Sequence, residues 1–509
     1  MKMYQTTIGT GLVCLLAMVF CAHGQMQPPT TAPADGLGLR FESPASGIAI
    51  RPPAGMKAIR GAPGKPEVVR FVDEGRKWVM KVTRVILEDG KPVPLSTWKD
   101  KDGTQHPGML EFTTDQFKTD TPGAQILRQD TIEVGDMTVG MMAARFDFGL
   151  ETNLSQQALI RASDLQYYII AMTCPAPRTG PVEDDAGVKS AVELFNASLN
   201  SVQILDQSKI KEDQDERLFR TRFFYVNLSK DRIAKALQKE QWLRMIYDGK
   251  DIGYTYVVEE FGRDIPRKGG KADRQQNTGP EGVLIGVRSR LLPPTGGQVD
   301  SESWLYCSLD RKSEAWSTIG VGDDPKLGAK GRATTGELGI TRWREKPVAD
   351  PPGGIGVKPN VSLTEDYRLE VTKIGPNQSG EPIVRSLPPF YLPQAIGQLL
   401  PRLVPTREPR TFAFVTWVSD AGQLMFRYVD VGAEKDCALG GKRFRAIPVR
   451  DYVGLEGSVT THYISPEGKY MGSVNEDSKI TILPTDAATL EKLWKNANLT
   501  RPGEVDDKK

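Results

Sequence analysis

The sequence predicts an exported α+β protein of two domains. The first is an antiparallel sheet with packed helices, and the second is a larger antiparallel β-rich half-barrel or sandwich with a few helices. Three observations carry this expectation. An apolar leader is followed by a Pro- and Thr-rich stretch. Runs that alternate apolar and polar residues, punctuated by Gly, Pro and Asp-Gly turns, recur through most of the chain. Amphipathic stripes at helical spacing are few.

The leader reads MKMYQTTIGTGLVCLLAMVFCAHGQ. Lys2 supplies a positive start, and Ile8 to Phe20 is apolar apart from Gly9, Thr10 and Gly11. Ala22-His23-Gly24 is a small-x-small site, so residues 1–24 read as a signal peptide cleaved before Gln25. A lipoprotein signal would place a small residue before its cysteine, whereas Phe20 precedes Cys21. Retention as an anchor is the alternative. No later segment approaches the roughly 20 apolar residues of a spanning helix. The expected location is therefore extracytoplasmic, periplasmic or secreted. Past the leader, which carries only Lys2, the chain is near neutral. It exerts no general pull on nucleic acid.

Residues 25–37 read as a flexible lead, and residues 38–207 as the first domain. In GIAIRPP, Ile48 and Ile50 share a face before Pro52-Pro53 ends the strand. In KWVMKVTRVIL, Trp78, Met80 and Val82 share another. Residues 125–148 make two strands about Val134-Gly135-Asp136. The stretch DLQYYIIAMTCPAP has bulky residues on both faces, as in a strand covered on both sides. Pro175 cannot continue a ladder, so Cys174 reads as a packed strand end rather than a reactive thiol. VEDDAGVKSAVELFNASLNSV follows as a helix, with acids at its start and Val188, Val192, Phe195 and Leu199 inward. VQIL closes the domain as a short strand.

An extended strand ending in TCPAP, a helix AVELFNASLNSV and a closing strand resemble the end of PsbP-like domains. GIAIRPPAGM is similar to their early strand. The resemblance covers residues 38–207, with residues 88–124 fitting poorly. It implies an antiparallel sheet flanked by helices and a binding or assembly role, with no catalytic signature to carry over.

Residues 208–221 are charged and read as a linker, and residues 222–497 as the β-rich domain, with a disordered tail at 498–509. Ser229 caps a helix expected to run to about Glu240, with Ile233 and Leu237 inward. WLRMIYDGKDIGYTYVVEEF is a hairpin. Residues 263–282 form a polar loop, and Lys346 to Pro359 a Pro/Gly-rich break. In PPFYLPQAIGQLLPRLVP, Pro393 suits a first helical turn, while Pro401 must end or kink the helix. Leu392, Ile396, Leu399, Leu400 and Leu403 make an apolar flank, either packed in a core or serving as a lid over a greasy ligand. Hairpins about SDAG and SPEG and a closing helix TDAATLEKLWK complete the chain. The YDGKDIGY and YISPEGKYMG hairpins resemble those of LolA-like periplasmic half-barrel proteins. That resemblance implies a sheet wrapped around a helix or a lipid.

The chemistry available is narrow. Beyond the leader the histidines are His106 and His462, and the cysteines are Cys174, Cys307 and Cys437. Two-histidine metal sites and His-based nucleophile pairs would draw on those two histidines alone. There is no CxxC, GxSxG, HExxH, P-loop or EF-hand pattern. No catalytic residue, metal ligand or cofactor is therefore assigned. At most one intrachain disulfide can form among the three, and if one forms, Cys307–Cys437 is the pairing favoured. Nine basic residues against five acids lie between Arg402 and Arg450. They make Arg402, Arg407, Arg410, Arg427, Arg443 and Arg445 candidates for an anionic-ligand patch. The adjacent acids Glu259-Glu260 and Asp184-Asp185 are poor glycosidase pairs, since neighbours on a strand face opposite ways. The leading expectation is a non-enzymatic envelope protein binding a partner protein or an apolar or lipid ligand. A carboxylate-dependent envelope hydrolase and a purely structural scaffold are the alternatives.

Overall fold

The structure is a computed structural model that describes residues 35–61, 65–87, 91–266, 279–292, 298–323, 332–347, 363–375 and 381–493. The leader, residues 25–34 of the lead, parts of the polar loop and of the Pro/Gly-rich break, and the tail lie outside them. The chain divides into two compact units, one up to Glu212 and one from Asp213.

The first unit contains β1 (Phe41–Ser43), β2 (Ile48–Ile50), β3 (Lys57–Arg60), β4 (Glu67–Asp73), β5 (Trp78–Ile86), β6 (Trp98–Lys99), β7 (Gln105–His106), α1 (Met109–Asp120), β8 (Gln125–Val134), β9 (Met137–Phe148), β10 (Glu151–Ser163), β11 (Gln166–Pro175), α2 (Ala186–Asn200) and β12 (Gln203–Ile204). Seven strands form one antiparallel sheet in the order β3-β4-β5-β11-β10-β9-β8, and β1-β2-β12 form a small second sheet. β11 is central, as its two-faced apolar pattern predicts. On one face Tyr168, Ile170, Met172 and Cys174 pack with Val188, Phe195 and Leu199 of α2. On the other, Tyr167 packs with Met109 of α1 and Leu159. Asp185 caps α2, its carboxylate accepting from Val188 N at 2.8 Å.

One expectation changes here. The lead is structured by its last residue, because Leu37 is buried and bridges to Pro53. The stretch 88–124, which fits the PsbP-like resemblance poorly, holds the β6–β7 hairpin and α1. Glu111 secures α1 by reaching back to accept from Gly108 N at 2.9 Å.

The second unit begins in α3 (Ser208–Val226), so the charged run 208–221 is helix rather than linker. Its buried residues Arg217, Thr221 and Phe224 recur at helical spacing. Arg217 reaches Asp213 at 2.6 Å and Asp430 at 2.5 Å. Next comes α4 (Lys230–Ala236), which stops short of Glu240 because Leu237 turns extended and Lys239 is left-handed at φ 53°. Then follow β13 (Glu240–Tyr247), β14 (Lys250–Gly262), β15 (Gly282–Leu291), β16 (Val299–Ser308), β17 (Glu314–Asp323), β18 (Arg332–Pro347), β19 (Leu363–Ile374), β20 (Ile383–Ser386), α5 (Gln394–Leu403), β21 (Arg410–Val418), β22 (Gln423–Val431), β23 (Lys435–Leu439), β24 (Lys442–Val453), β25 (Thr460–Ile464), β26 (Tyr470–Asn475), β27 (Thr481–Thr485) and α6 (Ala487–Leu493).

These strands form one antiparallel sheet in the order β20-β19-β18-β17-β16-β15-β14-β13-β27-β26-β25-β24-β22-β21, with β23 paired to β24. Among the described residues no ladder closes it into a barrel. A single segment reaches both ends instead. β20 pairs with β19. A few residues on, Leu392 N donates to Val415 O of β21 at 2.7 Å, and Val415 N to Phe390 O at 2.9 Å.

Cys174, Cys307 and Cys437 are all free and buried, so the candidate Cys307–Cys437 disulfide is not formed. Each thiol is packed as a small apolar group, and burial pushes the Cys174 thiol up to about 11. In the native protein a maleimide should leave Cys174 and Cys307 unmodified, and both should react after denaturation, as read by intact mass. Rapid native labelling of Cys174 would contradict this packing.

Candidate functional site

The sheet of the second unit curves around α5. Strands β15 and β16 touch the helix from one half of the strand order, and β21 and β25 from the other. Leu392, Ile396, Leu399, Leu400 and Leu403, the five candidate ligand-binding residues, are each at most 1% exposed. They lie in the core with Ile285, Leu305, Trp316, Phe414 and Val449. As the structure stands, they offer no free surface to a ligand.

Polar contacts at three points along this helix set its position. At its N-terminus, Pro393 lies extended and Gln394 N donates to Glu314 Oε1 at 2.6 Å. Tyr391 donates its hydroxyl to Glu314 Oε2 at 2.8 Å, and its own carbonyl accepts from the Tyr225 hydroxyl at 2.8 Å. Glu314 is 2% exposed. Burial pushes its pKa up to about 7, against the opposing pull of those two donors.

In the middle of the helix, Pro401 neither ends the helix nor leaves a gap. Its missing N–H would have served the carbonyl four residues back, at Gly397. Arg427 of β22 serves that carbonyl instead, with Nη2 donating to Gly397 O at 3.1 Å. The same guanidinium forks onto Asp451 of β24, with Nε donating to Oδ1 at 2.8 Å and Nη2 to Oδ2. A Cβ at residue 397 would sit 2.9 Å from Arg427 Nη1, so glycine leaves the approach open.

At the C-terminus, Arg402 donates to Glu259 Oε2 at 2.9 Å and Oε1 at 2.5 Å, and to Ala236 O at 2.7 Å. Glu259 also accepts from Gln238 N at 2.8 Å. A carboxylate at the start of the helix and a cation at its end both follow the helix dipole.

Arg402 and Arg427 are therefore internal ion-pair members rather than part of a surface patch. Of the remaining candidates, Arg410 pairs with Glu408 and Arg445 with Glu434 at 2.5 Å. Arg407 and Arg443 are exposed. Acidic neighbours thus dilute the expected anionic-ligand patch.

His106 and His462 have different settings. His106 stacks on Trp98 with ring centroids 4.7 Å apart, and its Nε2 lies 2.9 Å from Asp100 Oδ2. His462 of β25 lies 3.8 Å from Asp451 Oδ2, and its buried Nδ1 has no partner. Although 20% of its side chain is accessible, burial dominates and pushes its pKa down to about 4, with Asp451 opposing. Its cross-strand neighbours are Val449 on β24 and Ser473 on β26. The Ser473 oxygen takes the Tyr470 hydroxyl at 2.8 Å, and no Ser–His hydrogen bond joins the two. Among the described residues no group of three or more His, Cys, Asp or Glu is placed to hold a metal ion.

No family model and no curated protein matches the chain. Solved structures that match include a cyanobacterial PsbP from Synechocystis sp. PCC 6803, at 13% identity and TM-score 0.24, covering 35% of this chain and 99% of that one. A point mutant of the protein Mog1 matches at 16% identity and TM-score 0.23, over 32% of this chain and 93% of that one. A β-barrel-like protein of a domain of unknown function from Brucella abortus matches at 9% identity and TM-score 0.28, over 49% of this chain and 96% of that one. At these scores nothing of those proteins' roles transfers to this chain.

The sequence does not single out Glu314 or the Arg427–Gly397 contact, and it raises Glu259 only as half of a rejected carboxylate pair. One signal was present for Glu314, an acid two residues before Trp316 on the same strand face. Another was the spacing of Gly397 and Pro401, which marks a carbonyl in need of a donor.

Glu314 and His462 tie stability to pH with opposite signs. The folded-state pKa of Glu314 is raised, so its contribution is full below about 4.5 and lost as pH rises through about 7. That of His462 is lowered, so its contribution is lost as pH falls from about 6.5 toward about 4. Urea unfolding of Glu314→Gln should show stability rising more steeply between pH 5 and 7 than in the wild type. Parallel curves would contradict a buried, proton-holding Glu314.

Proposed function

We propose that the protein is an exported, non-enzymatic binding protein whose second unit carries an apolar seat now filled by its own helix α5. A lipid-like ligand, or an apolar segment of a partner protein, would take the seat when α5 withdraws. The observation that supports this most is the enclosure of α5 by strands from both halves of one curved sheet. The helix is joined to that sheet by side-chain latches and lies between connecting segments at 387–393 and 404–409. The leader supports export, and no helix among the described residues is long and apolar enough to cross a membrane.

The latches make this testable. Replacing both Glu314 and Arg402 by Ala should loosen the helix while leaving the sheet folded. Binding of a fluorescent fatty acid should then strengthen at least severalfold over wild type, and native mass spectrometry of the protein from its own envelope should show a co-purified lipid or partner. A folded double variant that binds the probe no better than wild type would favour the scaffold reading, in which α5 is a permanent core element.

A further inference from the structure

The seven-stranded sheet of the first unit ends on one side in β8, which pairs with β9 alone. β8 is 10 residues long, and Leu127 to Thr131 are exposed without a break. The turn to β9 is Gly135-Asp136, with Gly135 at φ 58°. Val134 and Met137 flank this two-residue loop and close it as a hydrogen-bonded pair. Bonding to β9 then alternates along the strand, so the N–H and C=O groups of Gln129, Thr131 and Glu133 point to the open side. Among the described residues no backbone group meets them there.

A row of free backbone donors and acceptors is a template for another strand, and sheets blunt such edges with short strands, lysines, prolines or bulges. The opposite edge, β3, is 4 residues long and exposes Lys57 and Arg60. β8 is long and carries no Lys or Pro. It has a bulge at Leu127, between the pairs Ile126–Ala144 and Arg128–Ala143. Beyond the bulge comes one exposed charge pair, with Arg128 Nε donating to Asp130 Oδ1 at 2.9 Å. These two charges have opposite sign, stand two residues apart and share a face, with Gln129 between them on the other. Such a pattern is complementary to itself.

An antiparallel strand of the same sequence would be related to β8 by a two-fold axis through one residue. An axis at Asp130 sets two carboxylates face to face. An axis at Thr131 sets Asp130 against Ile132 and Arg128 against Val134. An axis at Gln129 sets Arg128 of each copy against Asp130 of the other, twice over. Opposite charges directly across a ladder stabilise it, and like charges destabilise it. In the Gln129 register the outward N–H and C=O of Gln129 are exchanged between copies. Arg128 and Asp130 then fall at the non-hydrogen-bonded positions, where facing Cα atoms come closest, about 4.5 Å apart.

We propose that β8 is the surface at which two copies of this chain pair, antiparallel about Gln129, joining two seven-stranded sheets into one. The charge pattern selects a second copy as the occupant, because each copy supplies both the cation and the anion in matching register. A two-fold contact uses the same edge on both copies, so assembly stops at two. The short, basic β3 edge adds no further strand. The bulge at Leu127 keeps the ladder short and the contact weak. None of this involves α5 or its seat, so it stands apart from the preceding proposal.

Sedimentation velocity and amide exchange on the mature chain test it. The chain should pass from one copy to two by about 100 µM, as suits a small and transient interface. Amide exchange in β8 should slow over the same concentration range, and exchange in β3 should not. Gln129→Pro removes an N–H that the fold leaves unused, and Arg128→Asp sets like charges opposite each other. Each should weaken association roughly tenfold or more, with circular dichroism unchanged. Adding Asp130→Arg to Arg128→Asp exchanges the two charges and should restore association. The proposal is overturned if the wild type stays single at that concentration, or if its β8 exchange does not change with concentration. It is also overturned if folded Gln129→Pro and Arg128→Asp variants pair like wild type, or if the exchanged pair fails to recover. Protection of β8 in single copies purified from the envelope would assign the edge to a strand of another protein and overturn it too.

Discussion

The second unit depends on one repair. A proline four residues after a glycine leaves a carbonyl unserved inside a helix that is buried except along Gln394, Gln398 and Arg402. Water cannot reach that oxygen cheaply, and an unpartnered buried carbonyl costs on the order of 1–3 kcal/mol. Arg427 supplies the donor from the sheet, and Asp451 holds Arg427 in place. Gly397 leaves room for the guanidinium. The helix can therefore lie in only one axial position along the sheet.

Apolar burial holds the helix, and polar contacts choose where it sits. Each fully buried Leu or Ile contributes about 1.5–3 kcal/mol, so the five residues from Leu392 to Leu403 together supply on the order of 10 kcal/mol. Buried ion pairs such as Arg402–Glu259 roughly break even against apolar replacements of similar size. Their strength lies in what happens when one partner is lost, because the other is stranded. The same reasoning applies to Glu314, whose neighbours include Tyr391, Tyr225 and Cys307 and which, among the described residues, has no cation as a direct hydrogen-bond partner. A helix positioned this way is firmly registered but is not welded to its seat.

Much of the fold was legible because its signals are local. The two-faced run from Tyr167 to Cys174 placed a central strand, and the Asp248-Gly249 turn placed a hairpin, with φ of 49° and 71°. The stripe at Leu392 to Leu403 marked an inward helix. Signals that need a distant partner were not legible. Residues 208–221 look like a solvated linker until Arg217 meets Asp430, 213 residues away. Arg402 and Arg427 count as surface charge until Glu259 and Asp451 are brought beside them. The site was legible only as a list of apolar residues. Its polar contacts come from strands 30 to 143 residues removed, and one sequence does not show which strands those are.

The most direct measurement is a double-mutant cycle between Pro401→Ala and Arg427→Met, by urea unfolding. Alanine at residue 401 restores an N–H for Gly397 O. Losing Arg427 should therefore cost less in that background, with a coupling of about 1 kcal/mol or more. Costs that add to within roughly 0.5 kcal/mol would show that Arg427 does not replace the missing helical hydrogen bond, and would contradict the account.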